Sequence, residues 1–534
     1  MSDKKRLIIT IVAMLILVVG VTFAYFIPQI GGGVLRKLNV VADTPDDLQF
    51  IGGGLELKLT QFNLAQGGKN LSNSTYVSAV LKANSTTNTA TYTYNVYFNV
   101  KSNNFIYTTT EKKAEIILTV LDPDNNEITT LDGLTYLDGS TTNGVSGFDI
   151  TTLNGLKTIA ENYTITSNSS NDYNYQDWNF SVTFINLDTN QVENEGKELK
   201  AEIIMQQDKM VTSLDEVCTN GDNLANCITT LSQKSVSGAT KIYHHDTNLE
   251  NGANDNSYRY AGPSEQVNNF ICFGSTTSPC PTDNLYRIIG VIDGKVKLIK
   301  YDYMTTDELG TDGDYSGAYT NGNSTYKGNN YANIASYYWN YKADTTINNG
   351  YGSNTWSTGL FNKTNLNTNF INYLETEWSN KIATTTWKIG GNTWDNITKS
   401  IPSVAYQKEI VNPDATNTTD NATTYNAKIG LMYVSDYGFA ASPSAWTIVL
   451  NNYDGYDANK IVITKTNWMY MGLYEWTLSR NSGYSYYVFS VDRNGKLIAS
   501  SVNNIYAGRA SFNLESFVTY KSGSGTMSDP IIIN

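Results

Sequence analysis

Two stretches of strict alternation stand out along the chain. In residues 91–100, Tyr92, Tyr94, Val96, Phe98 and Val100 alternate with Thr91, Thr93, Asn95, Tyr97 and Asn99. In residues 178–184, Trp178, Phe180, Val182 and Phe184 alternate with Asn179, Ser181 and Thr183. A period of two turns one set of side chains into a core and the other toward water, so both stretches predict half-buried strands. Further strands read at LELKLTQF, AEIILTVLD and LKAEIIM, with the polar turns DPDNNE, LDGS and NSSNDYN among them. Many strands, turn punctuation and no long helical period predict an antiparallel β-sandwich over residues 51–210.

The pattern then changes. Leu214 and Val217, then Leu224, Ile228 and Leu231, fall at helical spacing, and Ser213 followed by Glu216 reads as a capping box. Residues 211–242 are therefore expected to form a helical connector. From residue 243 onward, short strands and Trp-bearing segments mix with one amphipathic helix over residues 367–382, whose Phe370, Tyr373, Leu374, Trp378 and Ile382 share a face. This is an α+β pattern, and it defines a separate domain, 243–534.

At the other end, Lys4, Lys5 and Arg6 precede an apolar run over residues 7–27, closed by Pro28. Its length suffices to span a bilayer as a helix, and the basic flank holds the N-terminus inside. Residues 1–28 thus read as a signal anchor or a signal peptide, and the rest of the chain as exported. Residues 29–50 hold the triple glycine Gly31-Gly32-Gly33 and read as a linker.

Composition sharpens this. The net charge is −13 with no basic stripe, so no nucleic-acid partner is expected. Tyr numbers 38, which favours strands, and the frequent Asn, Gly and Ser favour turns. The four cysteines form two close sequence pairs, Cys218 with Cys227 and Cys272 with Cys280, and neither pair has C-x-x-C spacing. Two local disulfides suit an oxidising exterior, although spacing leaves pairing across the two segments open.

Two resemblances add to this reading. The end of the apolar run, Thr22-Phe23-Ala24-Tyr25-Phe26, together with the strand layout that follows, resembles TasA/camelysin-type fibre proteins. That resemblance implies a jelly-roll-like sandwich, cleavage near Ala24 and self-assembly by strand donation. The segments YRYAGPSEQVNNFICFG, NLYRIIGVIDGKVKLIK, AKIGLMYVSDYGFAASPSAW and NWMYMGLYEWTLSRN, followed by the C-terminal run, resemble a family of exported Firmicutes surface proteins. For residues 243–534 it implies a C-type-lectin-like fold, similar to the sulfatase-modifying-factor domain. Members commonly carry Gly-Val-Arg-Pro near the end, where this chain has Gly508-Arg509-Ala510.

Enzyme signatures are weak. Sulfatase-modifying chemistry needs late cysteines, and none follows Cys280. Ser324-Thr325-Tyr326-Lys327 matches S-x-x-K without its companion motifs. The only histidines, His244 and His245, are adjacent and read as a surface strand. No pair among Glu375, Glu377, Asp454 and Asp457 is singled out for glycoside hydrolysis. Acidic turns at Asp312 and Asp314, and at Asp122 and Asp124, leave calcium open as the one cofactor to consider. Tyr484, Tyr486, Tyr487 and Tyr506 are the candidate ligand contacts, because aromatic rings bury area at low entropic cost.

The expectation is a mainly β, non-enzymatic protein held at the membrane by its N-terminal helix. It would bind an extracellular glycan or protein through the C-terminal domain. The rival is a secreted fibre or matrix subunit assembled through the sandwich.

Overall fold

The computed structural model describes residues 38–40, 46–60, 69–86, 88–235, 240–320, 334–412, 423–454 and 463–534. The apolar run 7–27, Ala24, most of the linker, the S-x-x-K match and Asp457 lie outside them. Among the described residues no helix is long and apolar enough to cross a membrane. The chain divides into two compact units, Met1–Met210 and Val211–Asn534. Both are mainly β and built from antiparallel sheets, with one short parallel pairing in the second.

The first unit contains β1 (Leu38–Val40), β2 (Asp47–Ile51), β3 (Gly53–Lys58), β4 (Leu71–Lys82), β5 (Ala90–Asn103) and β6 (Ile116–Leu121). It continues with β7 (Tyr136–Asp138), β8 (Ser146–Asp149), β9 (Gly155–Ser167), β10 (Asn174–Phe184) and β11 (Glu198–Gln206). One sheet has the order β1-β2-β4-β10-β6-β8-β7, the other β3-β11-β5-β9. The alternation in the sequence decides how they meet. Tyr94, Val96, Phe98 and Val100 of β5 share one core with Trp178, Phe180, Val182 and Phe184 of β10. Phe98 and Phe180 stack across the two sheets at 6.2 Å, 7° from parallel. Trp178 keeps its indole N–H satisfied by donating to the Tyr94 hydroxyl at 2.9 Å. Within β8, Gly147 has φ 140°, and a Cβ there would lie 2.4 Å from the Leu118 carbonyl oxygen, so only glycine lets β8 approach β6.

The second unit holds β12 (Ile242–His244), β13 (Tyr258–Tyr260), β14 (Phe270–Cys272), β15 (Leu285–Ile292), β16 (Lys295–Lys300), β17 (Tyr315–Ala318) and β18 (Ala335–Tyr337). Then come β19 (Thr385–Lys388), β20 (Gly391–Asn392), β21 (Thr424–Ala427), β22 (Glu475–Asn481), β23 (Tyr487–Val491), β24 (Leu497–Ser501) and β25 (Ser511–Asn513). The larger sheet runs β12-β13-β15-β16-β25 with β14 also paired to β15, and the smaller runs β20-β22-β23-β24. The expected connector is part of this unit. Its helix Leu224–Lys234 buries Leu224, Ile228 and Leu231 in the second unit's core. Glu216 accepts the Thr212 and Ser213 amides, as the capping pattern predicts.

The helix expected over residues 367–382 is broken in two. A π-helical stretch, Phe361–Phe370, continues to Tyr373; Leu374 is extended, with ψ 135°, and a second turn follows at Thr376–Ser379. The apolar face survives the break, with Phe370, Leu374, Trp378 and Ile382 buried, while Tyr373 is exposed. Asparagine side chains hold the π-helical stretch to other parts of the unit. Asn365 and Asn369 donate to the Leu309 carbonyl, and Asn367 donates to that of Ile429.

Candidate functional site

The turn between β22 and β23 carries three of the four tyrosines singled out from the sequence. Beneath it lies Asn354, 1% exposed, whose amide group donates to the carbonyls of Asn481, Tyr484 and Tyr487 at 2.8–2.9 Å. The Asn354 backbone N–H bonds the Ser485 carbonyl at 2.7 Å. One buried side chain therefore sets the turn, and the rings project outward from it. Tyr484 is 60% exposed; Tyr486 and Tyr487 are half-buried. Ring centroids lie 4.9 Å apart for Tyr486–Tyr487 and 5.6 Å for Tyr484–Tyr487. A fourth ring joins them that the sequence did not suggest: Tyr351, 45% exposed, stacks on Tyr486 at 5.0 Å and 21°. It sits just after Asn348 and Asn349, both in the left-handed region, and Asn348 bonds the Ser485 hydroxyl at 2.7 Å. The result is an aromatic platform on a tethered turn, suited to a sugar face or an apolar protein side chain.

Tyr506 does not belong to it. Its ring is buried against Tyr474 and Trp476, at 4.9 and 4.4 Å, and its hydroxyl lies among Ser500 and Asn504. Burial raises its pKa.

The acidic turns use their carboxylates on the protein itself. Asp314 is fully buried and accepts the amides of Tyr341, Lys342 and Phe361; burial raises its pKa, against those bonds. Asp312 is exposed and accepts from Asn369 at 2.6 Å, so the two side chains do not converge on a common ion position. Asp122 likewise accepts the Asp124 and Asn126 amides. Among the described residues the only converging set of His, Cys or carboxylate ligands is Cys218, Asp222 and Cys227. Its two sulfurs are already joined in a disulfide. The second disulfide links Cys272 and Cys280, so both bridges are local and no cysteine is free.

The histidines are not a surface pair. His244 is half-buried and stacks on Tyr258 at 4.3 Å. His245 is fully buried beside Phe439 and Trp446, and its Nδ1 accepts the Ala253 amide at 2.9 Å. Burial, helped by the charge of Arg259, pushes its pKa down to about 3, so the ring is neutral. The candidate hydrolytic carboxylates are scattered. Glu377 pairs with Lys381 and Asp454 with Lys496.

Sequence reasoning missed the buried charges. Asp436 accepts from Tyr433 N–H, from Lys297 at 2.5 Å and from Arg259 at 3.4 Å, and Arg259 also pairs with Asp255 at 2.7 Å. Burial pulls the Lys297 pKa below the ordinary lysine value despite Asp436, whereas for Arg259 the two carboxylates outweigh burial. Glu409 accepts the Val434 and Ser435 amides, and burial pushes its pKa up to about 7. Arg509 makes a two-pronged pair with Glu475 at 2.7 and 3.0 Å, both fully buried. Apart from Asp255 and the Tyr433 amide, these partners lie 25 to 177 residues apart in the chain, and no local pattern announces them. Compared with known proteins, the chain matches no family model and no curated protein.

Proposed function

We propose that this is an exported binding protein that displays its C-terminal unit outside the cell and engages a glycan or a protein through the tyrosine platform. The observation that carries this reading is the platform itself: exposed Tyr484 and half-buried Tyr486 and Tyr487 at a turn fixed by Asn354, with exposed Tyr351 stacked beside them. Exposed aromatic clusters of this kind mark interaction sites more than they mark cores. Two local disulfides with no free thiol support an oxidising compartment. The basic-flanked apolar run supports export. On this reading the first unit is a jelly-roll-like sandwich serving as a stalk, and the second a C-type-lectin-like domain without enzymatic activity.

One observation favours the fibre reading instead. Among the described residues β9, 13 residues long, pairs with no strand but β5, and the other edge has only the Asn174 and Gln176 side chains on its Thr166 and Thr164 carbonyls, which a donated strand would displace.

Mass spectrometry of the mature N-terminus, with glycan-array and surface-capture binding of the wild type and Tyr484→Ala/Tyr486→Ala, separates the two. An uncleaved membrane form whose binding is lost in the double variant supports display. A start after Ala24 in a high-mass medium fraction, with binding unaffected by the variant, supports the fibre and sinks display.

A further inference from the structure

The second unit also has a half-open cavity of about 380 Å³ beside the β15–β16 hairpin and β19. That volume lies in the range of small-molecule sites and holds a single sugar ring. Its charge runs against the rest of the molecule. The lining contains Arg259, Lys295, Lys297 and Lys388 but only two carboxylates, Asp293 and Asp436, in a chain of net charge −13. The deep charges neutralise one another, Arg259 and Lys297 against Asp255 and Asp436. Lys295 and Lys388 are different. Both are half-buried, both line the cavity, and neither has an ion-pair partner among the described residues. Against these two lysines the lining sets one exposed carboxylate, Asp293, and low-dielectric walls focus the remaining positive charge into the opening.

The remaining lining is not that of a simple anion trap. Trp387 and Tyr433 form its packed floor, both buried, with the Lys297 ammonium 5.5 and 4.5 Å from their centroids. Thr384 and Thr386 are exposed along the rim, and Thr385 and Asn513 join them at the same wall, bonded to each other at 3.0 Å. The hydroxyl and amide groups of this wall suit a polyhydroxylated ring, and the two lysines suit an anionic substituent on it.

We propose that this cavity is a second binding site, for an acidic monosaccharide unit, with Lys295 and Lys388 meeting its carboxylate and the threonine rim and Asn513 holding the ring. This site is independent of the tyrosine platform.

Isothermal titration of the full chain with glucuronate, glucose and acetate tests it. Glucuronate is expected to bind at least about tenfold more tightly than either glucose or acetate. Its affinity should fall as ionic strength rises. Lys295→Gln/Lys388→Gln should weaken glucuronate by about tenfold or more with an unchanged melting curve, and Lys388→Arg should retain binding. Titrating Tyr484→Ala/Tyr486→Ala separates this site from the platform, because glucuronate binding should persist there whatever becomes of the platform's ligand. The proposal is overturned if glucose or acetate binds as well as glucuronate, if glucuronate gives no heat at millimolar concentration, or if the double lysine variant binds as the wild type does.

Discussion

The two units solve the same problem, burying backbone, in different ways. In the first, long strands do it. β4, β5, β9 and β10 have 11 to 14 residues each, and their ladders occupy the peptide groups. Its one buried charge among the described residues is Glu115, which takes only neutral donors from Thr108, Gln191 and Asn194. In the second, the longest strand among the described residues has 8 residues, and much buried chain is irregular. Side chains there replace the ladder. Asn269, Asn354, Asn365 and Asn467, all buried, donate to main-chain carbonyls, and Glu409 and Asp314 accept main-chain amides. A buried peptide group must find a partner, and where sheets are short the partner is a polar side chain. The comparison teaches that asparagine, which in composition looks like turn material, is here a cross-link of the core.

Breaking each unit at its own kind of support should show the contrast, beginning with the largest effects. Trp178→Ala removes a large core ring from the first unit and is expected to cost about 3–5 kcal/mol, with the second unit's unfolding unchanged. Arg509→Ala leaves Glu475 buried without its partner and should cost the second unit about 3–5 kcal/mol, while Arg509→Met/Glu475→Gln recovers much of it. Differential scanning calorimetry on both variants reads this. A single transition that moves equally for both would break the picture of two separately supported units.

Cys218→Ser/Cys227→Ser opens a cross-link of sequence separation 9 and is expected to destabilise the second unit by about 2–3 kcal/mol, read in urea. An unchanged midpoint would assign the connector no role in that core.

A pH scan adds a further contrast. Because the folded pKa of Glu409 is raised to about 7, its contribution to stability is fully present below the ordinary carboxylate value and lost as pH rises through about 7. His245 acts oppositely. With its pKa lowered to about 3, stability is retained above the ordinary histidine value near 6.5 and lost as pH falls toward 3. Comparing wild type with Glu409→Gln between pH 5 and 8 isolates the first effect. The variant should lose the decline seen on the alkaline side, and an identical slope would exclude Glu409 as its source.

The smallest stability effects belong to the platform. Tyr484→Ala is expected to stay within about 0.5 kcal/mol of wild type, since the ring is mostly exposed, while ligand capture falls. Asn354→Ala should cost about 1–3 kcal/mol and also reduce capture, because three carbonyls lose their donor and the rings lose their footing. Equal capture by both variants and wild type would remove the platform from the function.

Much of the first unit was legible in the sequence because a strand's period is local. Alternation within ten residues already says which side chains of β5 and β10 face inward, and the structure places them in one core. The capping pattern at Ser213 and Glu216 was legible for the same reason, as were the tyrosines at 484, 486 and 487, which lie on one turn. The two local cysteine pairings were one of the readings the spacing allowed. Only the tertiary structure chose them, withdrew Tyr506 into the core, brought Tyr351 onto the platform, turned Asp314 into a staple and split the expected helix at Leu374. It also assembled Arg259, Lys297, Glu409 and Asp436 from distant segments. The reason is physical. Periodicity records how a segment meets a core that lies to one side of it, whereas a buried ion pair or an asparagine cross-link depends on what arrives opposite, and nothing local in the chain encodes that arrival.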